Sequence, residues 1–156
     1  MRVLTVVGNR PQFIKAAPLG SALHAAGIDE VLVHTGQHYD RELSDVFFDE
    51  LGIAPPQVSL GLRTSDPAAM VGPLADVVAR EQPDWVLVYG DTNTTVAGAQ
   101  AAGSVPVAHI EAGLRSFDLT MPEERNRIAV DRISTLLFCP DERAVDQLRS
   151  EGVTGQ

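Results

Sequence analysis

Five short clusters hold most of the side chains in this sequence that could do chemistry. They are GNRPQFIK (8–15), TGQHYD (35–40), GDTNTT (90–95), HIEAGLRS (109–116) and MPEERNR (121–127). In the first, Gly8 and Pro11 shape a turn into a helix, and Arg10 and Lys15 sit where backbone N–H groups and the helix dipole already favour an anion. A diphosphate would fit there, and so would a plain capped loop with two solvated cations. The cluster lacks the GxGxxG and Walker spacings, which disfavours nicotinamide and ATP. In the fourth, Glu111 directly follows the apolar run PVAHI, where an unpaired carboxylate is costly unless a partner or ligand needs it. His109 reads as a core histidine with a satisfied hydrogen bond rather than a metal ligand. Asp91 is either a helix cap, a role Thr92 could share, or a carboxylate facing a ligand. Pro122, Glu123 and Glu124 suit the first turn of a helix by capping and dipole alone, and an i,i+3 or i,i+4 ion pair would account for Arg127. Gln37 and His38 could touch a ligand or simply lead into a helix capped by Asp40.

What must position these clusters is an alternation of apolar runs and amphipathic stretches. Strands are expected at Val3–Val7, Val31–Val33, Val58–Leu60, Trp85–Tyr89, Pro106–Ile110 and Leu136–Cys139. Helices are expected at Phe13–Ala26, Arg41–Leu51, Pro67 to Arg80 or Glu81 with Asp66 as N-cap, Thr94–Ala102, Pro122–Ser134 and Glu142–Glu151. VLVYG and LLFC are continuous apolar runs, the mark of parallel strands covered on both faces. The fold class that follows is α/β, a doubly wound, Rossmann-like parallel sheet in one domain spanning 1–156. In such sheets ligands bind beyond the carboxyl ends of the strands, where all five clusters fall.

Composition narrows the function. Twelve Lys+Arg against twenty-one Asp+Glu give a formal charge of −9, which opposes nucleic acid, since phosphate neutralisation needs a basic surface. A local pair of cations can still hold a small anion. No stretch approaches the roughly 20 apolar residues of a membrane span, and MRVLTVVG lacks the length of a signal peptide. Cytoplasmic residence with no membrane partner is the expectation. The single cysteine, Cys139, is expected to be a buried free thiol.

Taken in order, the five clusters resemble the N-terminal domain of the non-hydrolysing UDP-N-acetylglucosamine 2-epimerases, from Val3 to about Gly152. The resemblance implies one half of a two-domain glycosyltransferase-B-like architecture with the C-terminal UDP-binding domain absent. The implied reaction is interconversion of UDP-GlcNAc and UDP-ManNAc, for cell-envelope polysaccharide, by elimination and re-addition of UDP with no cofactor and no metal. It implies Asp91, Glu111 and Glu123 as acid/base groups and Arg10, Lys15 and Arg127 as contacts for the diphosphate. Gln37 and His38, with Arg63, are implied as allosteric or ligand contacts. A histidine from the second domain completes the family's site, so the C-terminal half is expected to be required for activity, and the uncovered cleft face favours a homodimer. Asn9 and Gln12 stand where members often have Thr and Glu, and Arg132 stands where they have a helix His. The alternatives are a nucleotide-sugar-binding or assembly half without catalysis, or a related enzyme acting on a diacetamido sugar or hydrolysing UDP-GlcNAc.

Overall fold

The computed structural model describes residues 1–37 and 55–155. Six parallel strands form one sheet: β1 (Arg2–Val7), β2 (Asp29–His34), β3 (Val58–Ser59), β4 (Trp85–Tyr89), β5 (Val107–Ile110) and β6 (Leu136–Phe138), in the order β3-β2-β1-β4-β5-β6. From β1 the chain winds outward through β2 to β3, then returns to place β4 on the other side of β1. The loops leaving β1 and β4 therefore diverge over a crevice, the switch point where doubly wound sheets bind ligands.

Alternation along the strands divides the core. Leu4, Val6, Val33, Val86 and Val88 face one side. There they meet Met70, Leu74 and Val77 of α2 (Pro67–Glu81), Val96, Ala97 and Ala99 of α3 (Asn93–Ala101), and Val130 of α4 (Pro122–Ile133). Val3, Val7, Leu32, Leu87 and Tyr89 face the other, against Phe13 and Ala16 of α1 (Arg10–Ala25). The last helix, α5 (Glu142–Ser150), buries Ala144 and Leu148.

The local signals behave as expected. Asn9 caps α1, Asp66 accepts from Ala68 N–H to cap α2, and each of these helices carries proline in its first turn, where a missing N–H costs nothing. At α3 the cap is Thr92, in a reciprocal capping box with Thr95, which leaves Asp91 outside the helix. Most expected bounds shift by one to three residues, the scatter normal for element ends. The expected helix at Arg41–Leu51 and the Asp40 cap lie outside the described residues. One expectation is corrected: LLFC is not covered on both faces. β6 is the sheet's edge, and Leu136 and Phe138 are 43% and 47% exposed. Cys139 just beyond it is likewise only half-buried, not buried, and what burial it has pushes its thiol pKa up.

Candidate functional site

Two chain reversals bring the clusters to one edge. At the first, β1 ends at Gly8, whose missing side chain is a steric requirement. A Cβ there would lie 2.1 Å from Thr94 Oγ1 and 2.4 Å from Thr35 Oγ1. The helix that follows turns Gln12 inward, where it is 1% exposed. Its Oε1 accepts from Gly8 N–H (2.8 Å), and its Nε2 donates toward the Tyr89 carbonyl and the Thr92 and Thr95 hydroxyls, each at 3.0 Å. One buried amide thus ties the β1 loop to the β4 loop across the crevice. Gln37 adds a third strand end, its Oε1 accepting from Thr94 N–H (3.2 Å) and Thr94 Oγ1 (2.6 Å).

At the second reversal, β4 and β5 release Asp91 and Glu111 side by side, as their parallel register requires (Tyr89 opposite Ile110). Glu111 pairs with Lys15 of α1. Arg127 of α4 donates to Asp91 Oδ2 at 2.6 Å and stands 4.0 Å from Glu111 Oε2. The result is an alternating array, Lys15, Glu111, Arg127, Asp91, with two carboxylates held apart by cations. Asn126 steadies it from the same helix by donating to the Asp91 carbonyl (2.9 Å) and to Asn93 Oδ1 (3.0 Å). Glu111 adopts φ +73, a left-handed conformation that costs a non-glycine residue about 1–2 kcal/mol. Strain of this kind clusters where geometry is fixed for function.

Beside the array lies a cleft of about 400 Å³, lined by Asn9, Lys15, Gln37, Asp91, Asn93 and Glu123 among others. Glu123 is exposed in the first turn of α4. Asp91, Glu111, Glu123, Lys15 and Arg127 therefore converge on one edge, and Gln37 borders the same space. Arg10 opens α1 as an exposed residue and is not among the lining residues. Arg63, exposed at φ +48 in the loop after β3, does not line the cleft either. His38 lies outside the described residues.

The i,i+3 or i,i+4 pairing expected for Arg127 is corrected: it reaches across to Asp91 instead of back to Glu123 or Glu124. Glu124 turns inward, 3% exposed, and accepts from the N–H groups of Ser116 (2.8 Å) and Phe117 (3.0 Å). That fixes the loop between β5 and α4. His109 is the core histidine expected, fully buried, with ring nitrogens on Gly90 O (2.7 Å) and Asp131 Oδ1 (2.8 Å). Arg115 makes a two-pronged pair with Glu151 and a bond to Asp131. Burial opposes the Arg115 charge, but the carboxylate hydrogen bonds outweigh it and raise its pKa, while the Arg115 hydrogen bond lowers that of Glu151.

Sequence reasoning passed over Gln12, Glu124, Asn126 and Asp131 as site-building residues. Only Gln12 left a trace, as a polar residue on the helix face that also buries Phe13 and Ala16. Among the described residues no group of three or more His, Cys, Asp or Glu side chains could hold a metal ion, and no helix is long and apolar enough to cross a membrane.

Comparison with known proteins identifies the family. A family profile described as UDP-N-acetylglucosamine 2-epimerase matches residues 21–156. A UDP-2,3-diacetamido-2,3-dideoxy-D-glucuronate 2-epimerase of Pseudomonas aeruginosa is 49% identical over 97% of this chain and 45% of its own length. A UDP-N-acetylglucosamine 2-epimerase of Methanocaldococcus jannaschii is 42% identical over 98% of this chain and 43% of its own. Among solved structures, the Methanocaldococcus jannaschii UDP-GlcNAc 2-epimerase in complex with UDP-GlcNAc and UDP superposes with a TM-score of 0.95 at 41% identity, covering 99% of this chain and 44% of that one. The Neisseria meningitidis UDP-GlcNAc 2-epimerase bound to UDP-GlcNAc gives 0.91 at 36%, with 99% and 44% covered. The chain thus spans less than half the length of these relatives.

Proposed function

The chain belongs to the UDP-N-acetylglucosamine 2-epimerase family as one half of its two-domain fold, and from that premise we propose that it supplies the acid/base wall of a site interconverting UDP-GlcNAc and UDP-ManNAc. The observation that carries the reading is the array of Asp91 and Glu111 held beside Lys15 and Arg127 at the switch point of the sheet.

The chemistry asks for such an array. The proton at C2 of the sugar is not adjacent to a carbonyl, so removing it needs a leaving group at C1. A base takes the C2 proton, the C1–O bond breaks with its electron pair leaving on the diphosphate, and a C1=C2 double bond forms. UDP then adds back through the same oxygen, and a proton returns to the opposite face of C2. Two or more acid/base groups around one ring are required, with cations to steady the departing diphosphate. Asp91, Glu111 and Glu123 fill the first role. Lys15 and Arg127 fill the second, together with Arg10 at the start of α1. No cofactor or metal takes part in this scheme. Gln37 and His38, with Arg63, are assigned to contacts with a second nucleotide sugar or with the bound ligand.

Because the chain covers less than half of its relatives' length, the second wall of the cleft and the uridine contacts are assigned to a C-terminal domain. The chain alone is then inactive, working in the cytoplasm only as part of a complete enzyme that serves envelope polysaccharide synthesis. Phe117 and Leu119, 77% and 63% exposed in the loop after β5, give the isolated domain an apolar surface that favours a homodimer. A second substrate has a specific observation behind it: the 49% identity to a diacetamido-glucuronate epimerase makes a diacetamido sugar nucleotide the alternative, with the same bond changes at C1 and C2.

The test is to incubate the chain, alone and with a separately expressed C-terminal half, with UDP-GlcNAc and in parallel with a diacetamido sugar nucleotide, and follow the sugar by NMR. Conversion only with both halves is expected. Turnover by the chain alone would show that the division of labour is wrong, and conversion of the diacetamido sugar alone would select the alternative substrate.

A further inference from the structure

The acid/base candidates stand on three separate elements: the turn after β4, the turn after β5 and the start of α4. One buried ring ties the turn after β4 to the far end of that helix, from the strand that leads into the turn after β5. His109 lies on β5 two residues before Glu111. Its Nε2 bonds the carbonyl of Gly90, the residue before Asp91, and its Nδ1 bonds Asp131 of α4, one turn beyond Arg127. A carbonyl oxygen can only accept, so Nε2 carries a proton and donates to it. Asp131 spends its other oxygen on Gly113 N–H (3.2 Å) and Arg115 Nη1 (2.8 Å), which fixes the backbone just after Glu111.

Both His109 and Asp131 are 0% exposed. A buried charged network is weak support for stability, because well-packed apolar residues in its place are often as good or better. Its bonds here run to the peptide that aims Asp91 and to the turn that carries Glu111, which gives it a purpose that apolar packing would not serve.

We propose that His109, held by Asp131, is a positioning residue that sets the separation of Asp91 and Glu111 through the Gly90 peptide. It touches no substrate. The proposal rests on the epimerase reading above, and it predicts unequal damage to the two half-reactions. If Asp91 moves relative to Glu111, proton removal and proton return suffer differently, so the unsaturated sugar and UDP escape before re-addition. A displacement near 1 Å can cost about a hundredfold in rate.

The test uses the complete two-domain enzyme. His109→Asn keeps a donor toward Asp131 but falls short of Gly90. His109→Gln is the conservative variant, its longer amide able to donate toward the Gly90 carbonyl that Asn cannot reach. For His109→Asn, kcat should fall tenfold or more with KM within about twofold, and the share of turnovers ending in free UDP and unsaturated sugar should rise severalfold. That share is a ratio, so loss of folded enzyme does not change it. His109→Gln should bring the escape share back to within about twofold of wild type, because the donor to Gly90 is restored. An unchanged escape ratio in His109→Asn, or a His109→Gln enzyme as leaky as His109→Asn, would overturn the proposal. If the wild-type enzyme interconverts no sugar, the epimerase reading fails instead. The positioning claim is then decided by a crystal structure of His109→Asn: a shifted 90–93 turn that breaks the Asp91–Arg127 contact supports it, and an unmoved turn refutes it.

Discussion

Replacing Glu111 separately by glycine and by alanine measures the strain stored at the site. Both variants lose the Lys15 pair and the approach of Arg127, so those contributions cancel between them. What remains is backbone. At φ +73 alanine keeps a left-handed cost of about 1–2 kcal/mol that glycine does not have. Glycine in turn gives up roughly 0.4–1 kcal/mol to its freer unfolded chain. The glycine variant should therefore be the more stable by roughly 0.5–1 kcal/mol, the difference between those two effects. For a domain of this size that is about 1–4 °C in Tm. Urea unfolding of the 156-residue chain, followed by circular dichroism, reads the difference directly. At ordinary positions the order is reversed, with glycine the weaker. An alanine variant equal to or more stable than the glycine one would mean that Glu111 carries no strain, and the argument from its backbone to function would fall.

Three further outcomes are expected. In a complete enzyme, Glu111→Gln should lower turnover by about 10²–10⁴ while leaving the fold intact; activity within twofold of wild type would remove Glu111 from the acid/base set. Glu124→Ala removes the acceptor of two backbone N–H groups at Ser116 and Phe117, residues that are themselves exposed, and should cost about 1–2 kcal/mol. Hydrogen exchange should quicken at those two amides, and unchanged protection there would show that the loop holds itself. The stability of the chain should decline below about pH 6.5 in two stages. Burial depresses the His34 pKa from its ordinary 6.5, so the unfolded chain binds the proton first and stability is lost as pH falls below that value. Glu151, lowered from 4.5 chiefly by Arg115, adds a second loss below about 4.5. His34→Leu should flatten the upper stage alone, and an unaltered slope between pH 6.5 and 5 would assign it elsewhere.

The strand and helix order was legible because each element leaves a short-range mark. Asp66-Pro67 announces a helix start, and VLVYG announces a buried strand. Periodicity carries no information on where a strand sits across the sheet, so LLFC at the edge looked the same as VLVYG at the centre. The site divides along the same line. Glu111 stood out because it directly follows a buried-type strand, and Asp91 was open between cap and ligand group; Glu123, explained locally by the helix dipole, entered only through the family resemblance. Arg127 was assigned to its own helix because i,i+4 neighbours are visible, whereas a partner 36 residues earlier is not. Which of Glu123 and Glu124 turns inward depends on the rotation of α4 against the sheet, which no local pattern records.

The placement of buried polar groups gives an independent reason to look at the carboxyl edge. At the amino edge the charged contacts include surface pairs, Arg2 with Asp29 and the N-terminus with Asp84, whose side chains are 45–60% exposed and which are worth little. At or just beneath the carboxyl edge stand Gln12, Thr94, Thr95, His109, Glu124 and Asp131, all buried and all bonded. Ser134, before β6 at the amino edge, is buried too but bonds only the Val130 carbonyl of its own helix. A domain selected for stability alone has little reason to gather most of its buried polar side chains at the other end of its sheet. Each such group risks an unmet hydrogen bond costing about 1–3 kcal/mol, and apolar side chains fill the same space without that risk. The bonds they make run to Gly8, Tyr89, Gly90, Gly113, Ser116 and Phe117, backbone on either side of the candidate carboxylates. Local rules of burial are set aside where backbone must be held still, and here that is the rim of the cleft.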